Sequence, residues 1–227
     1  MKIILMNLNY KPITCLVLIT LFFISCKSDN NNAIAIQTGD LLFQKWNTSD
    51  FAKAINAVTE GADGEDYAHV GLVLSLDDTL KVLEAVTREG VILRPLDAFL
   101  NASLSEDSKP LVAIGRLKQD FSAAIPSINE WALFTVGMEY DSMFIYGNDK
   151  YYCSELIYDA FNMNVEGNDV FDLAPMTFKD PNTEDYFPVW LDYFAKYNQA
   201  IPEGELGINP GLLSRSDKIE VIDKLWE

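Results

Sequence analysis

Between residues 68 and 117 the chain crowds together four short apolar segments, at 68–74, 80–86, 90–96 and 111–117. Asp77-Asp78 and Arg88-Glu89-Gly90 punctuate the first three, as hairpin turns would. A parallel pair needs a crossover of a dozen or more residues, so with strands this short and closely spaced an antiparallel meander fits better than βαβ units. A turn at 38–40 feeds a further apolar strand at 41–44, and 219–222 reads as a final strand. Helical spacing flanks the sheet. Residues 51–58 carry apolar side chains at 51, 54, 55 and 58; residues 122–138 form an amphipathic stretch with Pro126 in its first turn; residues 153–161 present 156, 157, 160 and 161 on one face. A short helix is expected at 190–194, while the rest of the tail from 164 is rich in proline, aspartate and aromatics and has little periodicity. The class is α+β, and with no Pro/Gly/Ser linker in it, 38–227 reads as one domain.

The N-terminus reads as an address. Lys2 and Lys11 are the only charges before an apolar run at 13–24, which has the length of a signal-peptide core and is short for a membrane span. The run ends at Ser25-Cys26, which resembles a bacterial lipobox with Phe23 where leucine is usual. That resemblance implies a signal peptide at 1–25, lipidation of Cys26, and a polar tether at 26–37. An ordinary signal peptide with a chance cysteine is the alternative. The expected location is the cell envelope, with the outer membrane or cell surface included and the lipid anchor as the only membrane contact.

Loss of residues 1–25 leaves 15 basic residues against 34 acids, so the formal charge moves from −17 to −19. Nucleic acid, which requires a basic footprint, is excluded as a partner. Cys15 would be discarded and Cys26 lipidated, leaving Cys153 with no disulfide partner; the chain's single histidine is too few for a Cys/His metal site. No metal and no cofactor are expected, and the protein partners are open.

Cys153, His69 and Glu84 are the candidates for chemistry. A thiol nucleophile must be held as thiolate, with a base nearby and something to hold the base. Cys153 stands at the start of a predicted helix, where backbone N–H groups favour negative charge. His69 begins a strand. Glu84 lies in the strand expected to pair beside it, on the face of Val82 and Val86, where a carboxylate needs a partner such as an imidazolium. Each also has a plain reading: a small buried hydrophobe for Cys153, a structural histidine, and for Glu84 an edge charge that discourages aggregation.

The segments 39–43 (GDLLF), 69–73 (HVGLV), Glu84-Ala85 followed by Gly90-Val91, Tyr140-Asp141, and 152–156 (YCSEL) occur here in that order. Together they resemble the circularly permuted papain-like amidases of the YaeF/YiiX type, within the NlpC cell-wall hydrolase superfamily. The histidine preceding the cysteine marks the permuted branch. The resemblance implies a permuted papain-like fold with the nucleophile helix packed on a small antiparallel sheet or partial barrel. It also implies Cys153 as nucleophile, His69 as general base and acid, and Glu84 as the residue orienting the imidazole. Tyr152 and Asp40 are carried over as lining of the site.

Three functions stand open on these residues. One is a cysteine amidohydrolase or peptidase acting on cell-wall peptides through an acyl-thioester. A second is a hydrolase or acyltransferase of lipids or acyl-amino acids with the same triad. The third is a non-catalytic envelope binding protein that keeps the fold.

Overall fold

The computed structural model describes residues 34–46, 49–119, 121–165 and 170–227. The signal peptide, Cys15, Cys26 and most of the polar tether lie outside the described residues. Residues 34–227 form one compact unit, and at its start Ile36 already packs beside the sheet.

In chain order the elements are β1 (Leu41–Gln44), α1 (Asp50–Val58), β2 (His69–Leu76), β3 (Thr79–Val86), β4 (Gly90–Pro95), α2 (Leu96–Leu100), β5 (Val112–Leu117), α3 (Ile125–Thr135), α4 (Cys153–Asn162), β6 (Ala174–Pro175), α5 (Pro188–Tyr197), β7 (Leu206–Gly207), α6 (Pro210–Ser214) and β8 (Ile219–Lys224). Six strands form one open antiparallel sheet in the order β4-β3-β2-β1-β5-β8, and β6 pairs with β7 separately. The class is α+β, as expected, but the meander stops at β4. The fourth strand, β5, joins the far side of β1, so β1 is central and pairs with both β2 and β5.

That central position explains why β1 and β2 read as unbroken apolar runs. Their side chains alternate between two buried clusters, because both faces of the sheet are covered. Leu41, Phe43, Val70, Leu72 and Leu74 meet Leu156, Ile157, Ala160 and Phe161 of α4 and Ile128 and Ala132 of α3. Leu42 and Val73 turn the other way, toward Val82, Ile114 and Phe99 of α2. At about 1.5–3 kcal/mol for each large apolar side chain fully buried, the α4 side of the sheet is the main source of stability. A third cluster, dominated by aromatics, lies between α1 and α5 and holds Phe178, Trp190 and Phe194.

Local chemistry sets the helix ends. Ser49 caps α1 by accepting from the N–H of Ala52, and Asn209 caps α6 by accepting from Leu212. Pro126 sits in the first turn of α3. The amphipathic stretch expected at 122–138 is shorter as a helix: residues 122–124 form a 3-10 turn, and the chain leaves α3 at Val136. Gly137 follows at φ +91° and donates to the carbonyl of Val91, while Val91 donates to Met138. This contact docks the segment leading to the site onto the end of β4.

Candidate active site

His69 is the first residue of β2, and its placement follows from strand register. Val73 pairs with Val82, so His69 and Glu84 share one face and stand diagonally across the β2–β3 pair. Gly71, between them on that face, is obligatory: a Cβ there would come within 2.3 Å of Val82 Cγ1 and 3.0 Å of the Phe99 ring. Glu84 is 2% exposed, and its Oε2 lies 2.6 Å from His69 Nε2. Its other oxygen, Oε1, accepts from Nε of Arg94 on β4. The imidazole is stacked on Trp46, with centroids 4.9 Å apart and planes at 15°, and Phe99 lies at 5.9 Å.

Cys153 opens α4, and its thiol is free and buried. The helix has no side-chain N-cap, because its cap position is Tyr152. Two contacts fix this helix start against the segment after β7. The Tyr152 hydroxyl accepts from the N–H of Ile208, and the Ser154 hydroxyl donates to the Ile208 carbonyl at 2.8 Å. With Nε2 engaged by Glu84, the ring nitrogen left to face the thiol is Nδ1.

The electrostatics agree with that geometry. Burial disfavours the charged form of His69, but interactions with Cys153 and then Glu84 outweigh it and raise the imidazole from its ordinary 6.5 to about 9. Burial likewise opposes ionisation of Glu84, yet His69 and Arg94 hold its carboxyl below the usual range. In the first turn of α4 itself, burial pushes Glu155 up to about 8; the Gly147 N–H it accepts opposes this, and the charges of Asp141 and Asp159 add to it.

Two open cavities, of about 80 and 180 Å³, meet at Cys153 and share Ile55, Ala68 and Tyr140. One runs past Tyr152, Phe144, Met176, Phe178 and Trp190 and is largely apolar. The other contains His69, Trp46, Ser49 and Thr87. Tyr152 lines the first of these cavities beside Cys153. Asp40 does not reach the site. Its carboxylate is fully buried in a bidentate pair with Arg116 (2.7 and 2.8 Å) and accepts from the N–H of Gln37, beside a separate groove. The loop at 60–66, with acids at 60, 63, 65 and 66, lines neither cavity. Glu65 is tied down there by Lys45 at 2.6 Å and Lys224 at 3.0 Å.

Three neighbours of the site escaped the sequence reading. Arg94 was recoverable, because the Arg88–Gly90 turn sets the register Val82↔Arg94 and Glu84↔Ile92 and so places Arg94 diagonal to Glu84. Trp46 lies in a connection without periodicity, and nothing in the sequence marks its stacking. Tyr140 belongs to a quoted motif, and its role is visible only in three dimensions. It bridges to Tyr151 just ahead of Cys153 and lines both cavities, while Asp141 accepts from the N–H groups of Met143 and Ile145.

The family model described as permuted papain-like amidase enzyme, YaeF/YiiX, C92 family, matches residues 35–223. The chain belongs to that family. It is 25% identical over 191 residues to the uncharacterized protein YiiX of Escherichia coli strain K12, covering 84% of this chain and 87% of that one. Its fold resembles the solved structure titled as the metalloprotein yiiX from Escherichia coli O157:H7, with a TM-score of 0.67 and 23% identity over 84% of this chain and 98% of that chain. At family level the protein is thus a papain-like cysteine peptidase or amidase. Among the described residues no group of three or more His, Cys, Asp or Glu side chains is arranged to hold a metal ion. No described helix is long and apolar enough to cross a membrane.

Proposed function

We propose that the protein is a cysteine amidohydrolase of the cell envelope, anchored through a lipid on Cys26, that cleaves cell-wall peptides through an acyl-thioester. The observation that carries this is the buried imidazole of His69, held by Glu84 on one side and favoured as a cation by Cys153 on the other. His69 takes the proton of the thiol, and the thiolate attacks the amide carbonyl. The developing oxyanion is met by first-turn N–H groups of the uncapped α4, including that of Cys153. The imidazolium gives its proton to the departing amine, and the thioester remains on Cys153. Water, deprotonated by the now neutral His69, releases the acid and restores the thiol. Glu84 keeps the ring oriented and stabilises its charged form throughout.

The leaving amine must sit beside the proton donor, so it belongs in the cavity containing His69, and the acyl portion in the one walled by aromatics. The apolar character of that second cavity favours an alternative reading, in which the acyl group is a fatty or otherwise apolar chain and the substrate a lipid or acyl-amino acid. The purified protein, incubated in parallel with muropeptides and with N-acyl amino acids of increasing chain length, separates these. Cys153-dependent cleavage of stem peptides is the expected result. Cleavage confined to the long-chain acyl substrates, with a matching acyl mass on Cys153, would transfer the assignment to the alternative. No cleavage and no adduct from either would leave a binding protein.

A further inference from the structure

We propose that Arg94 is a positioning residue of this site, the counter-charge that lets the Glu84 carboxylate and the Cys153 thiolate coexist around one imidazolium. The proposal rests on the triad reading above and extends it outward by one residue. Thiolate, imidazolium and carboxylate together carry a net charge of −1 in a place where Glu84 and His69 are 2% and 3% exposed. A buried net charge is costly, and the easiest relief is uptake of a proton, which would extinguish the nucleophile. Arg94 brings the sum to zero. Its Nε donates to the oxygen of Glu84 that does not serve His69, so each carboxylate oxygen has one partner and the carboxylate cannot turn away from the ring.

The guanidinium is itself placed by the sheet. Arg94 lies opposite Val82 on β4 and reaches diagonally to Glu84, while its Nη2 is 3.6 Å from Glu89 in the β3–β4 turn. Glu84 and Glu89 are the acids it meets; Glu89 is well exposed and Glu84 is not. The short-range electrostatics therefore act chiefly on Glu84. Arginine suits this role because it stays charged at any working pH, so the balance holds across the whole range in which His69 titrates.

The test reads the nucleophile directly, through the rate at which iodoacetamide alkylates Cys153. Peptide-level mass spectrometry follows that rate between pH 5 and 10 in the wild type, His69→Ala, Arg94→Gln and Arg94→Lys. Arg94→Gln is expected to alkylate about tenfold more slowly at pH 7 and to need about one pH unit more to reach half its maximal rate. Arg94→Lys, which keeps the charge without the planar fork, is expected to stay within about threefold of the wild type, since the charge carries most of the effect. A wild-type rate and pH profile in a folded Arg94→Gln would overturn the role. If Arg94→Gln does not fold, Arg94→Lys decides, and a rate as low as that of His69→Ala overturns the counter-charge. A wild type no faster than His69→Ala would instead remove the triad reading itself, and the role of Arg94 with it.

Discussion

Alanine at Cys153, at His69, or at both is expected to reduce amide cleavage by about three orders of magnitude or more in each case, with the double variant no worse than the poorer single one. In the proposed mechanism the thiol and the imidazole act as one unit, the ring accepting the proton that the thiol gives up, and Cys153 favours the charged ring. Removing either member removes both functions, so the losses do not add. What survives is turnover supported by the helix-start N–H groups and by substrate binding. Losses that multiply in the double variant would mean that the two residues act independently.

Gly90→Ala is expected to cost about 3 kcal/mol or more of folding stability, which for a domain of this size lowers the melting temperature by roughly 6–12 °C. Two penalties coincide. Gly90 adopts φ +75°, which an L side chain resists by about 1–2 kcal/mol. A Cβ there would also stand 2.1 Å from the Met138 carbonyl oxygen, a backbone atom that cannot swing aside. Relief requires parting β4 from the segment that runs through Tyr140 to Cys153, so cleavage should fall along with stability. Circular dichroism melts of the variant check the first effect; an unchanged melting temperature would show that the turn is not held as described.

Much of this architecture was legible in the chain. All six strands of the main sheet follow from short apolar runs, three of them punctuated by Asp77-Asp78 and Arg88-Glu89-Gly90, and α4 follows from apolar positions at helical spacing; these are local signals. The insertion of β1 between β2 and β5 was not legible, because strand order in an antiparallel sheet is fixed by packing on both faces and the runs of β1 and β5 look alike. Helices α2 and α6 are five residues each, too short for a helical period to register. At the site, alternation and the hairpin turns brought His69 and Glu84 to one face, and the family motif supplied Cys153. Asp40 shows where a motif misleads. It stands in a quoted segment, yet its buried charge is spent on Arg116, holding the segment just before β1 to β5. Trp46 and Tyr140 act through contacts between segments far apart in sequence, which no local pattern encodes.

The pair at the centre of the site can be measured without a substrate, because the chain holds one histidine. The ring resonances of His69, followed by NMR from pH 5 to 10, are expected to titrate with a midpoint near 9 rather than at the ordinary 6.5. A midpoint raised on folding means that the ion pair contributes its full stability below about pH 6.5 and loses it as pH rises through about 9. The same titration in Cys153→Ala should move downward, since Cys153 is the largest influence raising it. A ring that titrates at or below 6.5 and ignores the loss of Cys153 would contradict the reactive pair and leave Cys153 a structural thiol.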